Sequence, residues 1–251
     1  MQVRAMLTED RKVFLLDRLA RDGRLIATDL AAELGISEDT IRRDLRQLAG
    51  EGRLIRVHGG ALPASPTDRP FLARTAMHPE AKLALARAAA GLIRPGQVVI
   101  VDGGTTHQAL PQVLPAGLRF TLVTHSPALA AAMEPLTAVE VVLIGGRLFR
   151  HSMVAAGPLA MAGFLRLRAD LCLLGVTGVH PDPGLTTGDA EEAALKAAML
   201  DVSAEVAVLA TPDKLGTVSP WTIAPLDRLT MLITTVGRPD WLPHGVAHLQ
   251  A

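Results

Sequence analysis

Six short apolar runs divide the chain after residue 96: QVVIVDGG, RFTLVTHS, VEVVLIGG, DLCLLGVTG, EVAVLATPDK and TMLITT. Each is rich in β-formers and is separated from the next by a helix-like stretch. Strands apolar on both faces need cover on both faces, and parallel neighbours need the crossover that a helix supplies. The pattern predicts a mainly parallel α/β domain. HPEAKLALARAAAGLI precedes the first run, with Pro79 in the first turn of an Ala-rich helix.

Upstream, GGALPASPTDRP concentrates Gly, Pro and Ser between two well-patterned regions. It places a linker at 61–75 and divides the chain into 1–60, 61–75 and 76–251. In the first unit, Val13, Leu16 and Ala20, widened by Leu15 and Leu19, predict an amphipathic helix. RDG ends it, RLI follows, and Thr28 is placed to cap a second helix through DLAAELG. Gly35 breaks the chain, Ser37 caps a third helix, and Ile41, Leu45 and Leu48 form its buried face. EGRLIRVHGG reads as a turn and a two-stranded wing. Three short helices, a Gly turn and a wing describe a winged helix-turn-helix.

Net charge says little about partners, because 25 basic residues balance 25 acidic ones. Distribution says more. Within 40–60 stand Arg42, Arg43, Arg46, Arg53 and Arg56 against Asp44 and Glu51, with His58 in addition. With the apolar face turned inward, Thr40, Arg43 and Gln47 point outward, flanked by Arg42 and Arg46. Ser37 and Thr40 sit at the helix end that enters a major groove. Arginine there reads guanine or holds phosphate, and Arg53, Arg56 and His58 on the wing reach neighbouring phosphates. A solvated arginine face is the plainer alternative for this helix alone; the ordered series of elements favours DNA. Phe14 is the only aromatic residue before residue 60, so RNA reading lacks a stacking platform. Cys172 lies in an apolar run and reads as a buried small hydrophobe; one cysteine allows no disulfide within the chain and fits a cytoplasmic location. Glu9, Asp10, Arg11 and Lys12, with Arg4, interrupt any signal-peptide core, and LALARAAAGLI is too short to span a bilayer.

In the large domain, VDGGTTH offers turn amides and two hydroxyls where a helix would start, a phosphate-receptive arrangement. IGGR and LGVTG end two other strands similarly, and ligands of open α/β sheets collect beyond strand carboxyl ends. Only four lysines stand against twenty-one arginines. Lys214, in TPDKLG, reads as an anion contact, and Lys196 as a solvated residue. His107, His125 and His151 are scattered, and Ser126 and Ser152 lack a nucleophile elbow, so no metal site or catalytic constellation is expected.

TIRRDLRQLAGEGRLIRVHGGA is similar to the signature of the DeoR-type bacterial transcriptional regulators. VDGGTT, VTHS, IGGR, RADLCLLGVTGV, GLTTGDAEEAALKAAM and DKLG resemble successive blocks of that family's effector domain, itself similar in fold to ribose-5-phosphate isomerase. The resemblance implies that Asp102, Gly104, Thr105 and Thr106 cradle a phosphate, with Gly145 and Gly146 nearby and Lys214 opposite. It departs at His107, His125, Thr211 and Pro111, the last interrupting the helix after the phosphate turn. The isomerase's acidic loop here reads GVTGV, and its catalytic Glu falls on Leu195, so turnover is not implied. The expectation is a cytoplasmic repressor of a carbohydrate-catabolism operon. It binds double-stranded operator DNA as a dimer or tetramer assembled by the large domain. A phosphorylated sugar releases it, and neither cofactor nor membrane is involved. The alternative is a sugar-phosphate isomerase-like enzyme carrying a DNA-binding module.

Overall fold

The computed structural model describes residues 7–251; residues 1–6, including Arg4, lie outside them. The reader unit runs α1 (Thr8–Asp22), β1 (Leu25–Ile26), α2 (Ala27–Leu34), α3 (Glu38–Gly50), β2 (Leu54–Val57) and β3 (Gly60–Pro63). Ser37 caps α3 by accepting from the Thr40 amide at 3.2 Å, and Gly35, at φ 63°, ends α2. Ile41, Leu45 and Leu48 are buried against Leu15, Leu19, Leu30 and Leu54. Each such side chain contributes about 1.5–3 kcal/mol of burial free energy. The expected two-stranded wing gains β1 as a third strand, in the order β1-β3-β2. A Cβ on Gly60 would lie 1.7 Å from the Leu25 carbonyl oxygen, so the backbones meet where only glycine fits.

Three local expectations differ from the structure. Val13 is exposed, and α1 buries Arg11, Lys12, Leu15 and Leu19 instead, because Arg11 turns inward to an acidic partner on α3. Thr28 lies inside α2, whose flanking residue is Ile26, because the helix starts directly from β1. The wing's sheet extends through Pro63, past residue 60, with Ala61 and Leu62 buried.

Residues after Pro63 stay on the protein surface rather than hanging free. The Ser65 amide donates to the Val218 carbonyl at 2.8 Å, Thr67 Oγ1 to the Thr177 carbonyl at 2.9 Å, and the Phe71 amide to His151 at 2.7 Å. A short helix, α4 (Phe71–Thr75), ends this segment.

The large domain follows with α5 (Pro79–Ala90), β4 (Val98–Val101), β5 (Thr121–Thr124), α6 (Pro127–Ala132) and β6 (Glu140–Leu143). Next come β7 (Arg147–Phe149), β8 (Val154–Ala156), α7 (Pro158–Leu165), β9 (Ala169–Gly175), β10 (Gly178–His180) and β11 (Gly184–Thr187). The chain closes with α8 (Ala190–Asp201), β12 (Ser203–Leu209), β13 (Trp221–Ala224), β14 (Met231–Thr234) and β15 (Ala247–Gln250). The six apolar runs become β4, β5, β6, β9, β12 and β14 of one fully parallel sheet, ordered β15-β14-β12-β9-β4-β5-β6. Alternate residues serve its two faces. Ile100, Cys172, Leu174 and Val208 pack with α7 and α8, while Val99, Val101, Leu173 and Leu209 pack with α5 and α6. Pro111 has the expected effect: 107–112 form a 3-10 helix rather than an α-helix. β6 is one of the two edge strands and is exposed throughout.

From β4 the chain builds outward through β5 and β6, then returns to lay β9 on β4's other side. The strand order therefore reverses between β4 and β9, and a crevice opens beyond their carboxyl ends. Among the described residues no helix is long and apolar enough to cross a membrane.

Candidate functional site

Two surfaces carry chemistry. On the reader, Arg42, Arg43, Arg46 and Gln47 are exposed along α3, with Ser37 exposed and Thr40 half-buried at its start. Arg53, Arg56 and His58 are exposed on the wing. Arg42 is tethered to Glu38 at 2.6 Å, an exposed intrahelical pair of little energetic weight. Asp44 is fully buried and takes Arg11 Nε at 2.5 Å and Nη2 at 3.1 Å. Its negative charge is thus withdrawn from the arginine face, which is more basic than the sequence count implies. Positions 41, 44, 45 and 48 share one helical stripe, and that spacing was the signal for a buried Asp44.

The second surface is the cleft at the β4–β9 reversal, where ligands of open α/β sheets collect. Its floor is the Gly103–His107 turn after β4, with Gly104 at φ 121°, and Gly175–Thr177 after β9. Four cations line it: Arg74 on α4, Lys82 on α5, Lys196 on α8 and Lys214 beyond β12. Glu192, whose carboxylate accepts from Ser152 Oγ at 3.0 Å, is the one acidic residue in the lining. Burial pushes Lys214 down to about 8, with Arg74's positive charge adding to it. Lys82 falls to about 8 for the same two reasons. An anion would relieve both.

Beneath the cleft floor, Asp102 collects four donors. Its Oδ1 takes the Gly103 amide at 2.7 Å and His125 Nε2 at 2.9 Å; its Oδ2 takes the Gly175 amide at 2.8 Å and Lys196 Nζ. Burial would raise this carboxyl, but Lys196 and His125 outweigh it and hold it far below the usual carboxylate range. His125 is anchored through Nδ1 to the Ala155 carbonyl at 2.8 Å. Burial pushes His107 down to about 4, so its ring is neutral near pH 7. His107 Nδ1 donates to the Gly103 carbonyl at 3.3 Å, leaving Nε2 a buried acceptor without a partner.

Of the expected effector residues, Gly104, Thr105, Thr106 and Lys214 line the cleft. Asp102 lies beneath the floor, where its carboxylate accepts from the donors above and ties the two floor turns together. Gly145 and Gly146 lie exposed between β6 and β7, outside the lining, where Gly146 lets the backbone pass the Ala156 carbonyl. Lys196, expected to be solvated, is only 5% exposed and part of the cleft wall. Arg74, Lys82 and His78 were not singled out from sequence. Lysine scarcity held the clue, since three of the four lysines converge here.

A winged helix-turn-helix joined to a parallel α/β domain with a cationic ligand cleft is the build of a ligand-responsive DNA-binding regulator. Residues 11–67 match the DeoR-like helix-turn-helix domain and residues 77–235 the DeoR C terminal sensor domain; the chain belongs to the DeoR family of transcriptional regulators. It is 35% identical to the HTH-type transcriptional regulator GlpR of Haloferax volcanii, over 91% of this chain and 90% of that protein. Identity to the HTH-type transcriptional repressor GlcR of Bacillus subtilis is 32%, covering 91% and 89%. The glycerol-3-phosphate regulon repressor of Escherichia coli is 29% identical, covering 80% and 81%. Among solved structures, ribose 5-phosphate isomerase A from Methanocaldococcus jannaschii aligns with a TM-score of 0.39 and 16% identity, over 53% of each chain. With relatives that are regulators and repressors, the chain is a transcriptional regulator and not an enzyme.

Proposed function

We propose that this regulator represses a carbohydrate-catabolism operon in the cytoplasm and leaves its double-stranded operator when a phosphorylated sugar fills the β4–β9 cleft. The observation that carries this reading is the convergence of four cations on a Gly-Gly-Thr-Thr turn. The Gly104–Thr106 turn offers amides and hydroxyls to a phosphate, and Lys214 supplies charge opposite. His107 Nε2, neutral and unpaired, is suited to accept from a ligand hydroxyl. A relative named as a glycerol-3-phosphate regulon repressor supports a phosphorylated effector.

At the operator, Ser37, Thr40 and Arg43 face base edges, Arg42 and Arg46 flank them, and Arg53, Arg56 and His58 hold phosphates. Helix-turn-helix units read paired half-sites, so the protein acts as a dimer or tetramer. Exposed Val141, Val142 and Leu143 on β6 and Leu159 and Leu165 on α7 offer the large domain an apolar contact face. The test is operator release by a panel of sugar phosphates beside their free sugars. Release only by the esters supports the reading, and Thr106→Val should weaken the active ester about ten- to a hundredfold. Equal release by a sugar and its ester refutes it.

A further inference from the structure

The segment between the two domains was expected to be a spacer. Instead, it supplies part of a wall of the cleft: Thr67 and Arg74 line it, with Met77 and His78 just beyond the segment. The segment is laid across the floor turns, since Ser65 Oγ and Thr67 Oγ1 both donate to the Thr177 carbonyl, at 2.5 and 2.9 Å. Lys82 Nζ also donates to the Arg74 carbonyl at 2.5 Å.

Arg74 itself is unusual. Its Nε is buried without a hydrogen-bond partner, and its guanidinium enters no ion pair among the described residues. Of the neighbouring carboxylates, Glu192 accepts from Ser152 Oγ, and Asp213 Oδ2 lies 3.3 Å from His78 Nε2 while its Oδ1 is buried without a hydrogen-bond partner. Glu192 attracts Arg74 most, with Asp68 and Asp102 adding to it, while Lys82 and Lys214 repel it. A guanidinium held in a cleft with free donors and repelling cations is complementary to an oxyanion, which it can meet with two parallel N–H groups.

We propose that Arg74 is a ligand of the effector's phosphate, so that the bound anion fastens the interdomain segment to the sensor domain. This rests on the phosphorylated-effector reading above. The segment continues directly from β3, and the Pro63 carbonyl at their junction accepts from the Val218 amide at 2.9 Å. A contact made at Arg74 is therefore passed along eleven residues to the wing. The β10–β11 hairpin provides a parallel route: Thr177 and Thr187 at its base line the cleft, and Asp182 at its tip pairs with Arg24 of the reader at 3.4 Å. Effector binding favours whichever reader placement keeps Arg74 in the cleft, and coupling can be no larger than that difference in affinity.

The test uses the full chain with inorganic phosphate and the active sugar phosphate as probes. Arg74→Ala should weaken both at least tenfold in calorimetric titration, and Arg74→Lys should restore part of the loss. Leu72 is 82% exposed, so chymotrypsin should cut the free protein at Phe71–Leu72. Either probe should slow that cut in the wild type and fail to do so in Arg74→Ala. If Arg74→Ala binds like wild type while Lys214→Met loses binding, the cleft reading stands and the assignment of Arg74 falls. Protection of the segment in Arg74→Ala overturns it too. No response of the wild type to any phosphorylated probe overturns both.

Discussion

Asp102→Asn separates two roles that the carboxylate could play. The substitution keeps shape but removes the negative charge that faces Lys196 and His125 in a site only 1% exposed. Breaking a buried pair by deleting one partner costs about 3–5 kcal/mol, since the remaining charge stays desolvated. In a protein of this size that lowers the melting temperature by about 6–20 °C, at roughly 2–4 °C per kcal/mol. Acid behaviour should change with it. Because the folded Asp102 carboxyl is depressed, its stabilisation is complete above its unfolded value near ~4 and is lost as pH falls below that. Thermal unfolding between pH 2.5 and 7 should show this acid limb in wild type and a reduced one in the variant. Anion binding should move the opposite way: with Lys196 released toward the cleft, inorganic phosphate should bind at least as tightly and stabilise the variant more than wild type. A variant that melts like wild type refutes the charge argument. One that keeps its stability but loses phosphate binding would return Asp102 to the role of direct ligand.

Effector affinity should depend on pH through Lys82 and Lys214, which Arg74, Asp213 and Lys196 also face. Their ammonium forms bind the anion, so titration calorimetry should show affinity falling above pH 8, by up to about tenfold per unit for each lysine. Below about pH 6 it should fall again as the phosphate ester regains its second proton. On the operator, Arg43→Ala should cost about 1–3 kcal/mol per half-site and relax sequence preference. Arg56→Ala should weaken all DNA evenly and reduce the salt slope by about one unit; fluorescence anisotropy across a salt series distinguishes the two. Gly60→Ala should unfold the wing, because its methyl has no space beside the Leu25 carbonyl; loss of operator binding with retained phosphate binding is the expected pattern.

The six strands were legible as short apolar runs rich in β-formers, although β6 among them is exposed at the sheet edge. β15, reading Ala-His-Leu-Gln at the sheet's rim, carries no such signature, and neither do the short antiparallel pieces β7, β8, β10 and β11. The arginine face of α3 followed from its apolar stripe, yet α1 was rotated in the sequence reading. Val13, Leu16 and Ala20 were expected on the buried face, whereas tertiary pairing draws Arg11 and Lys12 inward and leaves Val13 exposed. The cleft was half legible. Its glycines and threonines are local, but Lys196 meets Asp102 across 94 residues of chain, a contact that no local pattern encodes. The same holds for Arg74, which composition assigned to a spacer.

α3 divides its labour by face. Ile41, Asp44, Leu45 and Leu48 are locked into the reader, and Arg11 clamps the helix through Asp44. Arg43, Arg46 and Gln47 are exposed and make no side-chain hydrogen bond among the described residues. Address and anchorage are thus written on opposite sides of one thirteen-residue helix. A lineage can rewrite the outward letters one at a time without passing through an unfolded intermediate. Under the proposed reading, duplicated copies of such a regulator can drift to new DNA addresses while the cleft, lined by residues from Thr67 onward, keeps its effector.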